Sequence, residues 1–201
     1  AAVVARWRLD AVFAHPLALP QLPADLPLRP LQDGRRLMAG GSVVEALATP
    51  GHAPDHLAFL VDDGASRTLV AGDLVAGRGS IWVGTPDGDV AAYLDSLTRA
   101  AARAPDAVAP GHGPVRHDAG AVLDEARRHR LAREAQVWTE LAAGPRTLAE
   151  LHVAIYGDLD PAVAAFADRS LLAHLRKLMH ETRVDHVGAD ERGPYARRAG
   201  S

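Results

Sequence analysis

Short apolar runs broken by Gly and Pro fill the first half of the chain, and longer stretches with apolar residues at helical spacing fill the second. Runs of the first kind are the pattern of buried strands, and they predict strands over 11–14, 43–47, 57–61, 68–71 and 107–109. The runs 57–61 and 68–71 flank Asp62-Asp63-Gly64 and read as a hairpin, and Gln32-Asp33-Gly34-Arg35 reads as a second hairpin turn. Residues 1–8 read as the end of a helix, and residues 16–30, with five prolines, as an irregular surface loop. Residues 90–104 carry Ala91, Leu94, Leu97 and Ala101 at helical spacing. Strand, helix and strand in that order suit an α/β sheet covered by helices.

The second half changes period. Residues 119–143 form one long helical pattern ended by Gly144-Pro145, which reads as a linker helix. Thr147 and Glu150 stand at the two positions of a capping box for a helix running to Tyr156, and Pro161 opens a longer helix reaching His180. Residues 183–187 and 195–198, joined by a Gly and Pro turn, pair as a wing. Helices followed by such a hairpin make a small winged-helix domain. The expected division is 1–118, a linker at 119–144, and 145–201.

Composition narrows the classes. With 201 residues, 48% hydrophobic and 23% charged, the chain can bury a sizeable core. No run approaches the length of a membrane span, so no membrane partner is expected. The absence of Cys excludes disulfides and thiolate chemistry and fits a cytoplasmic setting. Residues 1–120 hold 10 basic and 13 acidic side chains, and residues 121–201 hold 12 of each. The second helix of the winged helix offers Arg169, His174, Arg176 and Lys177 beside Asp168, too few for duplex DNA recognition.

The candidate chemistry lies at three strand ends. Residues 43–47 run into Thr49-Pro50-Gly51-His52, residues 68–71 into Gly72-Asp73, and residues 107–109 into Pro110-Gly111-His112. Functional side chains of layered α/β proteins gather at one sheet edge, so His52, Asp73 and His112 are expected to converge. One Pro-Gly-His alone is a turn with an exposed His; two of them around a strand-end Gly-Asp make a metal site. Imidazole with carboxylate and no thiolate suits Zn, Fe or Mn in an open, catalytic site. Gly beside each ligand lets the backbone turn tightly and approach the ion. His56, four residues after His52, either supports the site or is structural. Residues 74–89 form a Gly-rich loop whose apolar tip carries Trp82, either a substrate contact or a packing residue. Arg78 in that loop faces an anionic substrate or is solvated. The other histidines, His174 among them, default to surface or capping roles.

In order and context, Thr49-Pro50-Gly51-His52-Ala53-Pro54-Asp55-His56, Ala71-Gly72-Asp73 and Ala109-Pro110-Gly111-His112-Gly113-Pro114 resemble the later metal-binding motifs of the metallo-β-lactamase superfamily. His129 to Gln136 and Leu171 to Leu178 resemble the branch with a C-terminal winged helix, which includes single-strand endoribonucleases and acyl-carrier thioesterases. The resemblance implies a partial αββα sandwich followed by a winged helix, and a dinuclear zinc hydrolase that activates water. His52 would complete the first metal's ligands, Asp73 would bridge, and His112 would complete the second. The superfamily's earlier His-x-His-x-Asp-His motif occurs nowhere in this sequence, which reads as an N-terminal truncation. Each metal would then lack two protein ligands, so weak metal binding, little activity and exposed apolar surface are expected. The implied substrate is an ester or thioester of a small molecule or acyl carrier, favoured by the near-neutral charge of residues 121–201. Cleavage of single-stranded RNA is the alternative within the fold, and a non-catalytic binding module is the alternative outside it.

Overall fold

The computed structural model describes residues 2–188 and 190–199; Ala1, assigned above to the first helix, and Ala189, Gly200 and Ser201, assigned to the winged helix, lie outside the described residues. Helix α1 (Ala2–Trp7) leads to strand β1 (Val12–Ala14). A five-stranded sheet follows, ordered β3 (Arg36–Ala39), β4 (Ser42–Ala48), β5 (Leu57–Asp62), β6 (Arg67–Gly72) and β7 (Ala107–Pro110). Neighbours are antiparallel except β6 and β7, which are parallel and therefore need a crossover. Helix α2 (Val90–Ala102) supplies it, opened by the Asp89 carboxylate accepting from Ala92 N at 2.9 Å.

Val90, Tyr93, Leu97 and Ala100 of α2 pack on Ala58, Leu60, Leu69, Ala71 and Val108 of the sheet. The first turns of α3 (Ala119–Glu140) add Ala119, Val122 and Leu123 to this core. Its last turns supply Val137 to a second core, with Leu148 and Leu151 of α4 (Leu148–Tyr156) and Leu171, Leu175 and Leu178 of α5 (Pro161–His180). Val184 and Tyr195, from the hairpin of β8 (Val184–His186) and β9 (Tyr195–Arg197), complete it. The α/β sheet unit and the helix-plus-wing unit therefore meet through α3. No helix among the described residues is long and apolar enough to cross a membrane.

Two local expectations are corrected. Residues 16–30 are not wholly irregular: after a 3-10 turn at Leu19–Gln21, β2 (Leu28–Pro30) pairs in parallel with β1. Pro30 fits because a two-stranded ribbon is all edge, where a missing N–H is tolerated. Nor is Gln32-Asp33-Gly34-Arg35 a hairpin turn; the reversal falls at Gly40-Gly41, joining Ala39 to Ser42. The Asp33 carboxylate instead accepts from Ala48 N at 2.7 Å and pairs with Arg99, pinning the turn to the end of β4.

Candidate metal centre

Because β4 and β6 each run antiparallel to β5, and β7 runs parallel to β6, the C-terminal ends of β4, β6 and β7 share one edge. The three motifs follow those ends. A register shift between Val70 and Gly72 re-aims the end of β6, and Gly111 N donates to Gly72 O at 2.8 Å, drawing the Asp73 and His112 loops together. The three side chains converge on Asp73: His52 Nε2 lies 3.8 Å from Asp73 Oδ2, and His112 Nε2 lies 3.5 Å from Oδ1.

The surroundings hold His52 and the Asp73 loop in place. His52 Nδ1 lies 2.8 Å from the Trp82 carbonyl, which can only accept, so the proton sits on Nδ1 and Nε2 carries the lone pair. Its loop is tied to α2 by Ser96 Oγ donating to Pro50 O and by Asp89 N donating to Gly51 O, both at 2.8 Å. A side chain on Gly51, at φ +137°, would strike the Tyr93 backbone at 2.4 Å.

His56 is not aimed into the centre. Its Nε2 accepts from Asp73 N at 3.0 Å, and Nδ1 meets Thr49 Oγ1 at 2.8 Å, so it clamps the loop that carries Asp73. Burial, then the neighbouring His52, hold its pKa below the ordinary imidazole value, consistent with a neutral ring whose Nε2 is free to accept. A Cβ on Gly72 would come within 2.8 Å of that Nε2, so glycine there makes room for the clamp. Trp82 turns its ring to α5, edge-to-face on Phe166 at 5.5 Å, with Nε1 donating to Phe166 O at 2.9 Å.

The donor set fits a metal in part. Asp73 Oδ1 is buried with no hydrogen-bond partner, as a carboxylate reserved for an ion would be. Each carboxylate oxygen has one imidazole, however, and no group of three or more such side chains among the described residues could hold an ion. The three side chains present one carboxylate with an imidazole nitrogen near each of its oxygens, and no further His, Asp or Glu among the described residues joins them.

Sequence reading missed Thr49, Ser96, Tyr93 and Arg130, which hold these parts in place. Tyr93 Oη donates to Leu74 O at 2.7 Å, behind the Asp73 loop. Arg130 donates to Ile81 O and lies 5.5 Å over the Tyr93 ring. Its signal was a charge on the apolar stripe of α3, four residues after Ala126. His174, expected at the surface, is fully buried on α5.

Residues 5–112, more than half of the chain, match the Metallo-beta-lactamase superfamily. The chain belongs to the metallo-β-lactamase superfamily. Residues 147–192 match the beta-lactamase associated winged helix domain. A lactamase-like protein, vrtG, of Penicillium aethiopicum is 37% identical over 139 residues, 65% of this chain and 43% of that protein. An atrochrysone carboxyl ACP thioesterase of Passalora fulva is 33% identical over 153 residues, 72% of this chain and 45% of that enzyme. A solved β-lactamase domain protein from Burkholderia ambifaria superposes with a TM-score of 0.78 at 27% identity, over 98% of this chain and 60% of that one. This metallo-β-lactamase chain thus spans about half the length of the curated relatives it matches.

Proposed function

We propose that this chain carries one side of the active centre of a dinuclear zinc hydrolase acting on the thioester of an acyl carrier, or on a related small ester. The observation that carries the reading is Asp73, whose two oxygens each face a different imidazole. The thioesterase among its relatives supports the substrate class. Two zinc ions between these side chains would supply Lewis acidity, activating water and polarising a thioester carbonyl. The chain's own residues preorganise that edge. Trp82 O fixes the His52 tautomer, His56 holds the Asp73 peptide, and the Asp73 carboxylate is positioned to be shared. With His-x-His-x-Asp-His absent from these residues, the chain by itself is inactive and binds zinc weakly.

The test has two arms. In zinc competition against a chromophoric chelator, the 201-residue chain should bind weakly and Asp73→Ala should abolish even that. In a chain extended to include the His-x-His-x-Asp-His motif, acyl-thioester hydrolysis should appear and fall roughly hundredfold or more with Asp73→Ala. Two tightly held ions on the short chain, or an Asp73→Ala variant with full activity in the long one, would overturn the reading.

A further inference from the structure

Away from the three ligands, on the other side of the Trp82 peptide, lie two adjoining hollows of about 410 and 350 Å³ that share Ser80, Ile81, His129 and Arg130. The smaller runs between α3, the start of α5 and the loop at Ile81 and Trp82. Arg130 and Arg133 make it cationic beside the Tyr156 ring, and Val163 and Phe166 give it an apolar stretch. No carboxylate lines it. The larger adds Arg78, exposed and without a partner among the described residues, against a single acid, Glu125.

Arg130 is the observation that calls for a ligand. Its residue is 4% exposed, yet the groups acting on its charge are Tyr93, Tyr156 and the like-charged Arg133, with no Asp or Glu among them. Arg133 is half-buried and lies 4.2 Å over the Tyr156 ring, with no ion pair among the described residues. A buried cation without a counter-ion is costly, and two side by side are costlier. Below them the buried His174 ring registers the same field, its pKa driven to about 3 by burial and then by Arg130 and Arg133. An anion in the hollow would offset this repulsion through charge-assisted hydrogen bonds.

The shape says which anion. A nucleic-acid strand needs a basic track with free aromatic faces for its bases. Here the cations form one cluster, the Tyr156 face is covered by Arg133, and Trp82 and Phe166 pack on each other. One anionic group followed by an uncharged chain fits instead. Trp82 gives the direction: its ring lines the hollow while its carbonyl binds His52 of the candidate centre.

We propose that this hollow receives the 4′-phosphopantetheine arm of an acyl carrier, with Arg133 and Arg130 on its phosphate and Trp82, Tyr156, Val163 and Phe166 along its pantetheine chain. The assignment rests on the carrier-thioester reading above, and it adds the place where the arm lies.

Binding is read without turnover, so this site and the hydrolase reading fail separately. The chain would be titrated with 4′-phosphopantetheine, pantetheine, inorganic phosphate and a short single-stranded oligoribonucleotide, by calorimetry and by amide chemical shifts. We expect 4′-phosphopantetheine to bind roughly tenfold or more tightly than pantetheine, with shifts at Arg133, Tyr156 and Phe166. Arg133→Gln should erase that difference, and Phe166→Asp, at a surface position, should weaken both ligands. Arg127→Ala, on the same helix but outside the hollow, should change neither. Equal affinity for the two pantetheines, inorganic phosphate competing as well as the whole arm, or the oligoribonucleotide binding more tightly at the same residues would each overturn the proposal. A chain that binds the arm while its extended form hydrolyses no thioester would keep this site and count against the hydrolase reading.

Discussion

Burying an imidazole with neither nitrogen paired costs folding free energy, and His174 does so at 0% exposure on α5. Its pKa falls from the ordinary 6.5 to about 3, first through burial and then through Arg130 and Arg133. Between those values the unfolded chain binds a proton that the native chain refuses. Stability is therefore present above about pH 6.5 and lost as pH falls, by at most about 1.4 kcal/mol per pH unit from this group. His174→Leu, similar in volume, should raise the urea midpoint at pH 7 and flatten its decline between pH 7 and 5. A variant with the same pH slope as the parent would show that His174 is solvated or paired in solution. Nothing in the sequence marked His174 as buried. It sits among Leu171, Leu172, Leu175 and Leu178, and only packing against α3 decides which way it points. The metal-ligand candidates were legible for the opposite reason: each is named by the local chemistry of its own strand end.

At the scale of elements, the same division between local and non-local information holds. The capping box of α4 was readable because all its atoms lie within four residues. Glu150 N donates to Thr147 Oγ1 at 3.3 Å, and Thr147 N donates to Glu150 Oε2 at 2.7 Å. Thr147→Ala should cost about 1 kcal/mol, read as a lower urea midpoint, and an unchanged midpoint would show that tertiary contacts alone hold the start of α4. Strand β2 was not readable, since its partner β1 lies 16 residues away in register and a run with Pro23, Pro27 and Pro30 carries no strand period. The misplaced hairpin has a similar cause. Asp33-Gly34 and Gly40-Gly41 both offer turn chemistry, and the choice falls to whichever flanking segments pair. The hollow proposed for the phosphopantetheine arm was invisible for a further reason: it joins α3, α5 and a loop some 30 to 90 residues apart, and a single out-of-place charge, Arg130, was its trace in the sequence.

For the whole molecule, the decisive asymmetry is between the two faces of the main sheet. One face, with Ala58, Leu60, Leu69, Ala71 and Val108, is sealed by α2 and the start of α3. The cross-strand registers put Val44 opposite Val61, Ala46 opposite Phe59, and Phe59 opposite Val70 on the other face. Ala46 is covered, at 1% exposure, and Val44, Phe59 and Val61 are half-buried, but none of these joins a buried cluster among the described residues and Val70 is 41% exposed, so the face is open around Val70. The C-terminal unit does not cover this face, because α5 packs on α2 and α3. A contiguous apolar face on a sheet promotes association, and at about 25 cal/mol per Å² even a few side chains favour a second copy measurably. Sedimentation velocity should therefore show mass rising with concentration, and Val70→Lys, which places a charge in the middle of the face without touching the sealed core, should shift the chain toward monomer. The candidate centre opens at the strand ends, not on this face, so Val70→Lys should leave zinc affinity unchanged. A monodisperse monomer at all concentrations would mean that these side chains are covered in solution, and a loss of zinc affinity in Val70→Lys would mean that the face and the edge are mechanically one unit.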